Sequence, residues 1–270
     1  MLRGIIKKVK TLPCWIWFVT IILIVSFSIE SYQYLQYDHD TISLLDLLFS
    51  QVNAIDMVSI PILIIFLPFY GTGLWVKNRT EYEYRIIKDN KKVDWLKYYF
   101  LYFTTIVLLY FSLFYILNIF IFWIEGGVII DFNNDWSEKL GLSASNAIYL
   151  SFLLISFRFI FLSLLAFYID LSCKKVPFGF ISLIFLGLTD GFFYYVFKID
   201  EPLGILPIEH TRIEYTPAWG INNDAFRMSY IYSFIYWIVI IGVLLLLIYI
   251  KIRKKTLASI FEKFKVVTHL

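Results

Sequence analysis

The chain has 270 residues, 60% of them hydrophobic and only 17% charged, with 2 Cys, 3 His and a net charge of +3. A soluble fold of this length needs far more charge to solvate its surface, so the composition excludes one and calls for a lipid environment. Cys14 and Cys173 are too few for a disulfide-stapled secreted domain, the His residues too scattered for a metal cluster, and the charge too small to call for nucleic acid.

At the N-terminus, Leu2, Ile5, Ile6 and Val9 share one helical face, with Lys7, Lys8 and Lys10 elsewhere on the helix. This pattern predicts an interfacial helix lying along the inner leaflet. Six stretches are then apolar enough to cross a ~30 Å hydrocarbon core: residues 12–29, 57–76, 98–124, 147–169, 176–197 and 230–250. The alternating pattern of an outer-membrane barrel is missing, so the expected fold is all-α, a bundle of six transmembrane helices forming one transmembrane domain. The first stretch is rich in Trp, Phe and Ile and is followed by Glu30-Ser31-Tyr32 rather than a small-residue cleavage site, so it reads as an uncleaved anchor.

Lys and Arg set the orientation. Nineteen flank one side of the six stretches, at the N-terminus, between residues 77 and 97, at Lys174 and Lys175, and between residues 251 and 265; four flank the other. Both termini are therefore expected in the cytoplasm, which also keeps Cys14 and Cys173 as thiols and leaves the sequon Asn78-Arg79-Thr80 unglycosylated.

Outside, residues 41–53 read as a half-amphipathic helix with Leu44, Leu45, Leu48 and Val52 apolar, either interfacial or an upward extension of the second span. Prolines 61 and 68 are expected to bend that span, with Gly71 and Gly73 near its inner end. Inside, Thr80-Glu81-Tyr82-Glu83 fits a capping box, in which the Thr hydroxyl caps an amide and Glu83 reaches back. A short cytosolic helix over residues 81–88 is predicted, with Tyr82 and Ile86 on one face, ended by Asp89-Asn90. The outer loop 199–228 carries Pro202, Pro207 and Pro217 among apolar residues and is expected to fold back onto the rim of the bundle. The tail 251–270 is amphipathic, with Leu257, Ile260, Phe261, Phe264 and Val267 at helical spacing, a face for the membrane surface or for a partner.

Two charges fall inside the spans, Arg158 in the fourth and Asp190 in the fifth, each about 16 residues from the inner loop centred on Lys174–Lys175. At ~1.5 Å per residue they lie at the same depth, and alone each costs ~2.5–3.5 kcal/mol on insertion scales. An intramembrane ion pair joining the two helices is the expectation; a substrate path, a proton relay or independent snorkelling are the other readings. No P-loop, H-E-x-x-H, G-x-S-x-G or potassium-filter motif occurs, so neither ATP binding through a P-loop nor covalent chemistry is expected of this chain itself. The abundant Tyr and Phe read as lipid-facing and interfacial packing.

The six spans with both ends inside, the N-terminal interfacial helix and the capped cytosolic helix resemble a type-2 permease of ATP-binding-cassette exporters. Residues 75–101 (WVKNRTEYEYRIIKDNKKVDWLKYYFL) are similar to that family's passage from an acidic start through a basic run into the third span. The Pro and aromatic residues of 206–219 and the Lys251-Ile-Arg-Lys-Lys-Thr-Leu end of the sixth span look like such permeases from Gram-positive bacteria. The Gly that often follows the acidic residue of the family's cytosolic helix is missing here. The resemblance implies a coupling helix, with Glu81, Tyr82, Glu83, Arg85, Ile86 and Lys88 docking in a cleft of separate cytosolic ATPase subunits that bind ATP and Mg. It also implies a second permease, identical or different, and a plasma-membrane location. The expected substrate is amphipathic or lipophilic, an antimicrobial, lantibiotic-like or cytolytic peptide. The alternatives are a six-span channel, carrier or lipid-handling protein that needs no ATPase, and a peptide-sensing or immunity subunit using the loop 199–228.

Overall fold

The computed structural model describes residues 14–38, 44, 47–48, 92–126, 143–172, 181 and 230–267. Four long helices carry almost all of them: α1 (Cys14–Asp38), α2 (Lys92–Gly126), α3 (Ala144–Ser172) and α4 (Tyr230–Val267). There is no strand among the described residues. Three helices hold segments long and apolar enough to cross a membrane, Tyr99–Glu125, Ser145–Ile169 and Tyr232–Arg253. They match the third, fourth and sixth predicted spans to within a few residues. The apolar part of α1, Trp17–Gln33, is shorter than these three. The N-terminal interfacial helix, the second span, the cytosolic helix with Glu81, Tyr82, Glu83, Arg85, Ile86 and Lys88, most of the fifth span with Asp190, and the loop 199–228 lie outside the described residues.

The chemistry of a dry environment explains why these segments are helices. Without water to bond peptide groups, each span must satisfy its backbone internally, and no Pro interrupts α2, α3 or α4. At its start, Ser143 accepts the Ala147 N–H at 3.0 Å through its carbonyl, opening the first turn of α3. The small polar side chains are satisfied in the same way. Ser28, Thr105, Ser156 and Ser163 each donate to the carbonyl four residues back, at 2.6–2.7 Å.

Helix α3 lies at the centre. Of its spanning segment 61% is buried, against 50% for α2 and 28% for α4. Aromatic pairs set the register between α2 and α3. Tyr99 stacks on Phe167 at 5.3 Å, Phe111 meets Phe159 at 5.0 Å, and Tyr115 meets Phe152 edge-on at 5.6 Å. As numbers rise on α2 they fall on α3, so the two run antiparallel. Between α3 and α4 both numbers rise together: Phe157 with Phe234, Phe161 with Trp237, Ser172 with Lys251. These two helices are parallel. Consequently Ser172, where α3 ends, and Tyr230, where α4 begins, stand at opposite ends of the bundle, about 30 Å apart along the axis.

Tyr32 of α1 packs edge-on against Phe122 of α2 at 6.2 Å. Asp38 is thus close to the C-terminal end of α2, while Lys92 begins that helix about 45 Å away. The ends that the segment between α1 and α2 joins, and those that the segment between α3 and α4 joins, therefore lie at opposite ends of the bundle. Leu44, Leu47 and Leu48, just beyond α1, are helical and buried in the common core. Their i, i+3, i+4 spacing is one helical face.

The outer faces are apolar. Trp15, Phe18 and Ile22 of α1 and Ile235, Ile238, Val239, Val243 and Leu246 of α4 are exposed, Phe18 to 64%. A side chain at Gly242, on the same face of α4, would meet nothing within 4 Å. In water such surfaces would be unstable; in a bilayer they contact acyl chains.

Candidate functional site in the bundle interior

The bundle interior places an unusual set of polar groups at the α2–α3 interface. Arg158 sits midway along α3, 3% exposed, and its side chain is engaged within the protein. The antiparallel register sets it level with Tyr110 and Phe111 of α2. Tyr110 is 1% exposed, and its hydroxyl has no hydrogen-bond partner. One to two turns further along α2, the Tyr115 hydroxyl donates to Ser151 Oγ of α3 at 2.7 Å. Asn118, fully buried, donates from Nδ2 to the Phe114 carbonyl at 2.9 Å, while its Oδ1 has no partner. Thr104 Oγ1 is buried and unpartnered as well.

The position of each group follows from local sequence. Tyr115 and Asn118 are three apart and Tyr110 and Phe114 four apart, so these side chains fall on neighbouring stripes of α2 that look inward. Ser151 and Arg158 are seven apart on α3, two turns on one face. Aromatic rings surround the polar groups: Phe111 and Phe159 lie between the Tyr115–Ser151 bond and the Tyr99–Phe167 stack. A buried polar atom without a partner costs roughly 1–3 kcal/mol. Asn118, Tyr110 and Thr104 each leave such an atom at or beside this seam, which is polar well beyond what packing requires. Chemically it can offer hydroxyl donors, an amide acceptor and one guanidinium to a polar group or to water. Among the described residues, no three His, Cys, Asp or Glu side chains come together.

Of the residues singled out in the sequence, Arg158 is thus placed at the heart of the bundle. Asp190, its expected partner, and the six residues of the cytosolic helix lie outside the described residues. Tyr110, Tyr115, Asn118 and Ser151 were not picked out by sequence reasoning. Asn118 carried a signal, since an amide in the middle of a 27-residue apolar run is costly unless it is bonded. The tyrosines carried none, because in so aromatic a chain they resemble interfacial rings.

Two outcomes follow for this seam. Tyr115→Phe removes the interhelical hydrogen bond and is expected to cost about 0.6 kcal/mol, and not above ~1.7, by unfolding in mild detergent. Asn118→Leu removes an amide whose oxygen is already unpartnered. It is expected to leave stability unchanged within ~1 kcal/mol by unfolding in mild detergent.

Comparison with family models, with curated proteins and with solved structures finds no match to this chain.

Proposed function

We propose that the chain is the transmembrane permease subunit of an ATP-driven exporter of the ATP-binding-cassette type. The observation that carries this reading is the direction of the helices. With α3 and α4 parallel, and with α1 ending beside the far end of α2, each of the two joining segments has to link opposite ends of the bundle. The apolar stretches 57–76 and 176–197 fall in those two segments and are long enough to do so as further crossings. Six crossings with both termini in the cytoplasm are the topology of such permeases, and the Lys and Arg bias agrees with it.

In this reading separate cytosolic ATPases receive Glu81, Tyr82, Glu83, Arg85, Ile86 and Lys88, and ATP with Mg is bound and hydrolysed there. Two permeases, identical or different, share one pathway, and the open apolar faces of α1 and α4 are available for that pairing. An interior with aromatic walls and a few hydrogen-bonding groups suits an amphipathic or lipophilic passenger, above all an antimicrobial or cytolytic peptide crossing the plasma membrane of a Gram-positive cell. Affinity capture of the tagged chain in mild detergent tests the reading. A P-loop ATPase is expected to co-purify with the parent chain and to be lost with Tyr82→Asp or Ile86→Asp. Absence of any ATPase, where a known permease–ATPase pair survives, would overturn it.

One observation favours a second reading, a six-span carrier or channel without an ATPase. Arg158, Tyr110 and Asn118 are buried polar groups at bilayer depth, where ionisable and polar residues mark ion and proton paths. Transport by the purified chain alone in liposomes, driven by a proton or ion gradient, would decide for it.

A further inference from the structure

At the ends of the fourth and sixth spans, three side chains build a fixed cation. The Lys251 ammonium of α4 donates to Ser172 Oγ of α3 and lies 5.1 Å from the centre of the Tyr168 ring. Ser172 in turn donates to the Tyr168 carbonyl at 2.7 Å, which turns its lone pairs toward the ammonium. The hydroxyl is thereby used as donor and acceptor, and the lysine is held in one place. An ammonium has three donors, and Ser172 takes one. Among the described residues no carboxylate meets Lys251. Its described contacts are the hydroxyl and the ring face, so the positive charge is positioned and, among the described residues, not neutralised.

The path leading to this charge is apolar and open. Val243, Leu247 and Lys251 recur every four residues and so share one face of α4. Val243 is 51% and Leu247 41% exposed, and Ser172 is exposed at the rim. An exposed aliphatic stripe ending in an anchored, unneutralised ammonium has the shape of a glycerophospholipid turned inside out: acyl chain along Val243 and Leu247, phosphate at Lys251.

We propose that Lys251, Ser172 and Tyr168 form a headgroup site for an anionic phospholipid, which bridges the ends of α3 and α4. The ligand chemistry is a phosphodiester monoanion. The site takes it from the lipid and not from solution, because the stripe below the charge would otherwise be left to non-specific chains. Fixed basic sites between helix ends at the membrane surface are recognised by such headgroups. The inference does not depend on whether an ATPase partners the chain.

The test uses the full chain purified in mild detergent, with phosphatidylglycerol or phosphatidylcholine titrated in, read both by native mass spectrometry and by thermal unfolding. The parent chain is expected to retain phosphatidylglycerol in preference to phosphatidylcholine and to unfold later with it. Lys251→Gln is expected to weaken that preference about fivefold, and Ser172→Ala to weaken it in the same direction while keeping the charge. Arg253→Gln removes the same charge two residues away on another face of the helix and is expected to leave the preference intact. An unchanged preference in both Lys251→Gln and Ser172→Ala would overturn the proposal. So would equal losses in Lys251→Gln and Arg253→Gln, which would mean diffuse attraction, and so would an equal shift from inorganic phosphate alone, which would mean a soluble anion. Should Lys251→Gln fail to fold, Ser172→Ala against Arg253→Gln carries the same decision.

Discussion

Replacing Arg158 by Leu is expected to destabilise the folded chain by about 3–5 kcal/mol, the usual cost of removing one half of a buried charge pair. Adding Asp190→Leu to that variant is expected to restore most of the loss. The reasoning starts from depth: Arg158 is buried midway along its span and engaged there, and Asp190 is expected at the same level of the fifth span. With both charges present, each offsets the other's desolvation. With one removed, the survivor is left in a medium that cannot solvate it. With both removed, two aliphatic side chains pack where two ions stood, which is often neutral or better. Denaturant unfolding of the four chains in one detergent closes a double-mutant cycle. A coupling energy below about 0.5 kcal/mol would mean that the two residues are independent and that Arg158 is held by other groups.

Trp237→Ala is expected to cost about 3–5 kcal/mol and to loosen α4 from the rest of the bundle. Trp237 is the largest fully buried side chain among the described residues. Its ring lies 5.9 Å from Phe161 of α3 and 5.4 Å from Tyr236. One and two turns further along, Ile241 and Leu244 are buried on the same side of α4. Little of α4 between Tyr232 and Arg253 is covered elsewhere, so this one face carries the attachment of that part. Ile238→Ala is the matching control. That residue is the direct neighbour of Trp237 but is 62% exposed, and its loss is expected to move stability by no more than about 0.5 kcal/mol. Equal effects of the two substitutions would mean that α4 is anchored by something other than its inward face.

What could be read in the sequence, and what could not, has a physical pattern. Long uninterrupted apolar runs are unambiguous in lipid, because no other structure satisfies their backbone, so α2, α3 and the membrane part of α4 were legible to within a few residues. Helix ends were not. The predicted first span stops at Ile29, yet the helix continues through Glu30 to Asp38, because Tyr32 finds Phe122 and a helix needs no apolar residue to persist beyond the hydrocarbon. Likewise α4 runs unbroken from Tyr230 past Lys251 to Val267, although the basic cluster marks where the membrane part stops.

Which face of a span looks inward was the harder matter. A helix that is hydrophobic all round gives no amphipathic stripe, so Phe111, Phe159 and Phe167 could not be told from lipid-facing rings. The expectation that the aromatic residues serve as lipid-facing and interfacial packing needs correcting for these: Phe111, Phe114, Phe159 and Phe167 are buried. They join or line the helix–helix seams, where ring edges and faces pack at 5–6 Å. For the polar interior, Arg158 stood out because a charge in lipid is rare. The Tyr115–Ser151 bond depends on the register of two helices, which no local pattern encodes.

The six-crossing path is the claim on which the permease reading rests most directly, and side-specific labelling of single cysteines tests it. Cys14 and Cys173 are first changed to Ser, and one Cys at a time is placed at Asn90, Asp135, Lys175, Asn222 and Thr268. In intact cells, a membrane-impermeant thiol reagent is expected to label the Asp135 and Asn222 positions alone. Asn90, Lys175 and Thr268 are expected to react only after the membrane is opened. Labelling of Asn90 together with Asp135, or of Lys175 together with Asn222, from the same side would contradict the six crossings and with them the permease reading.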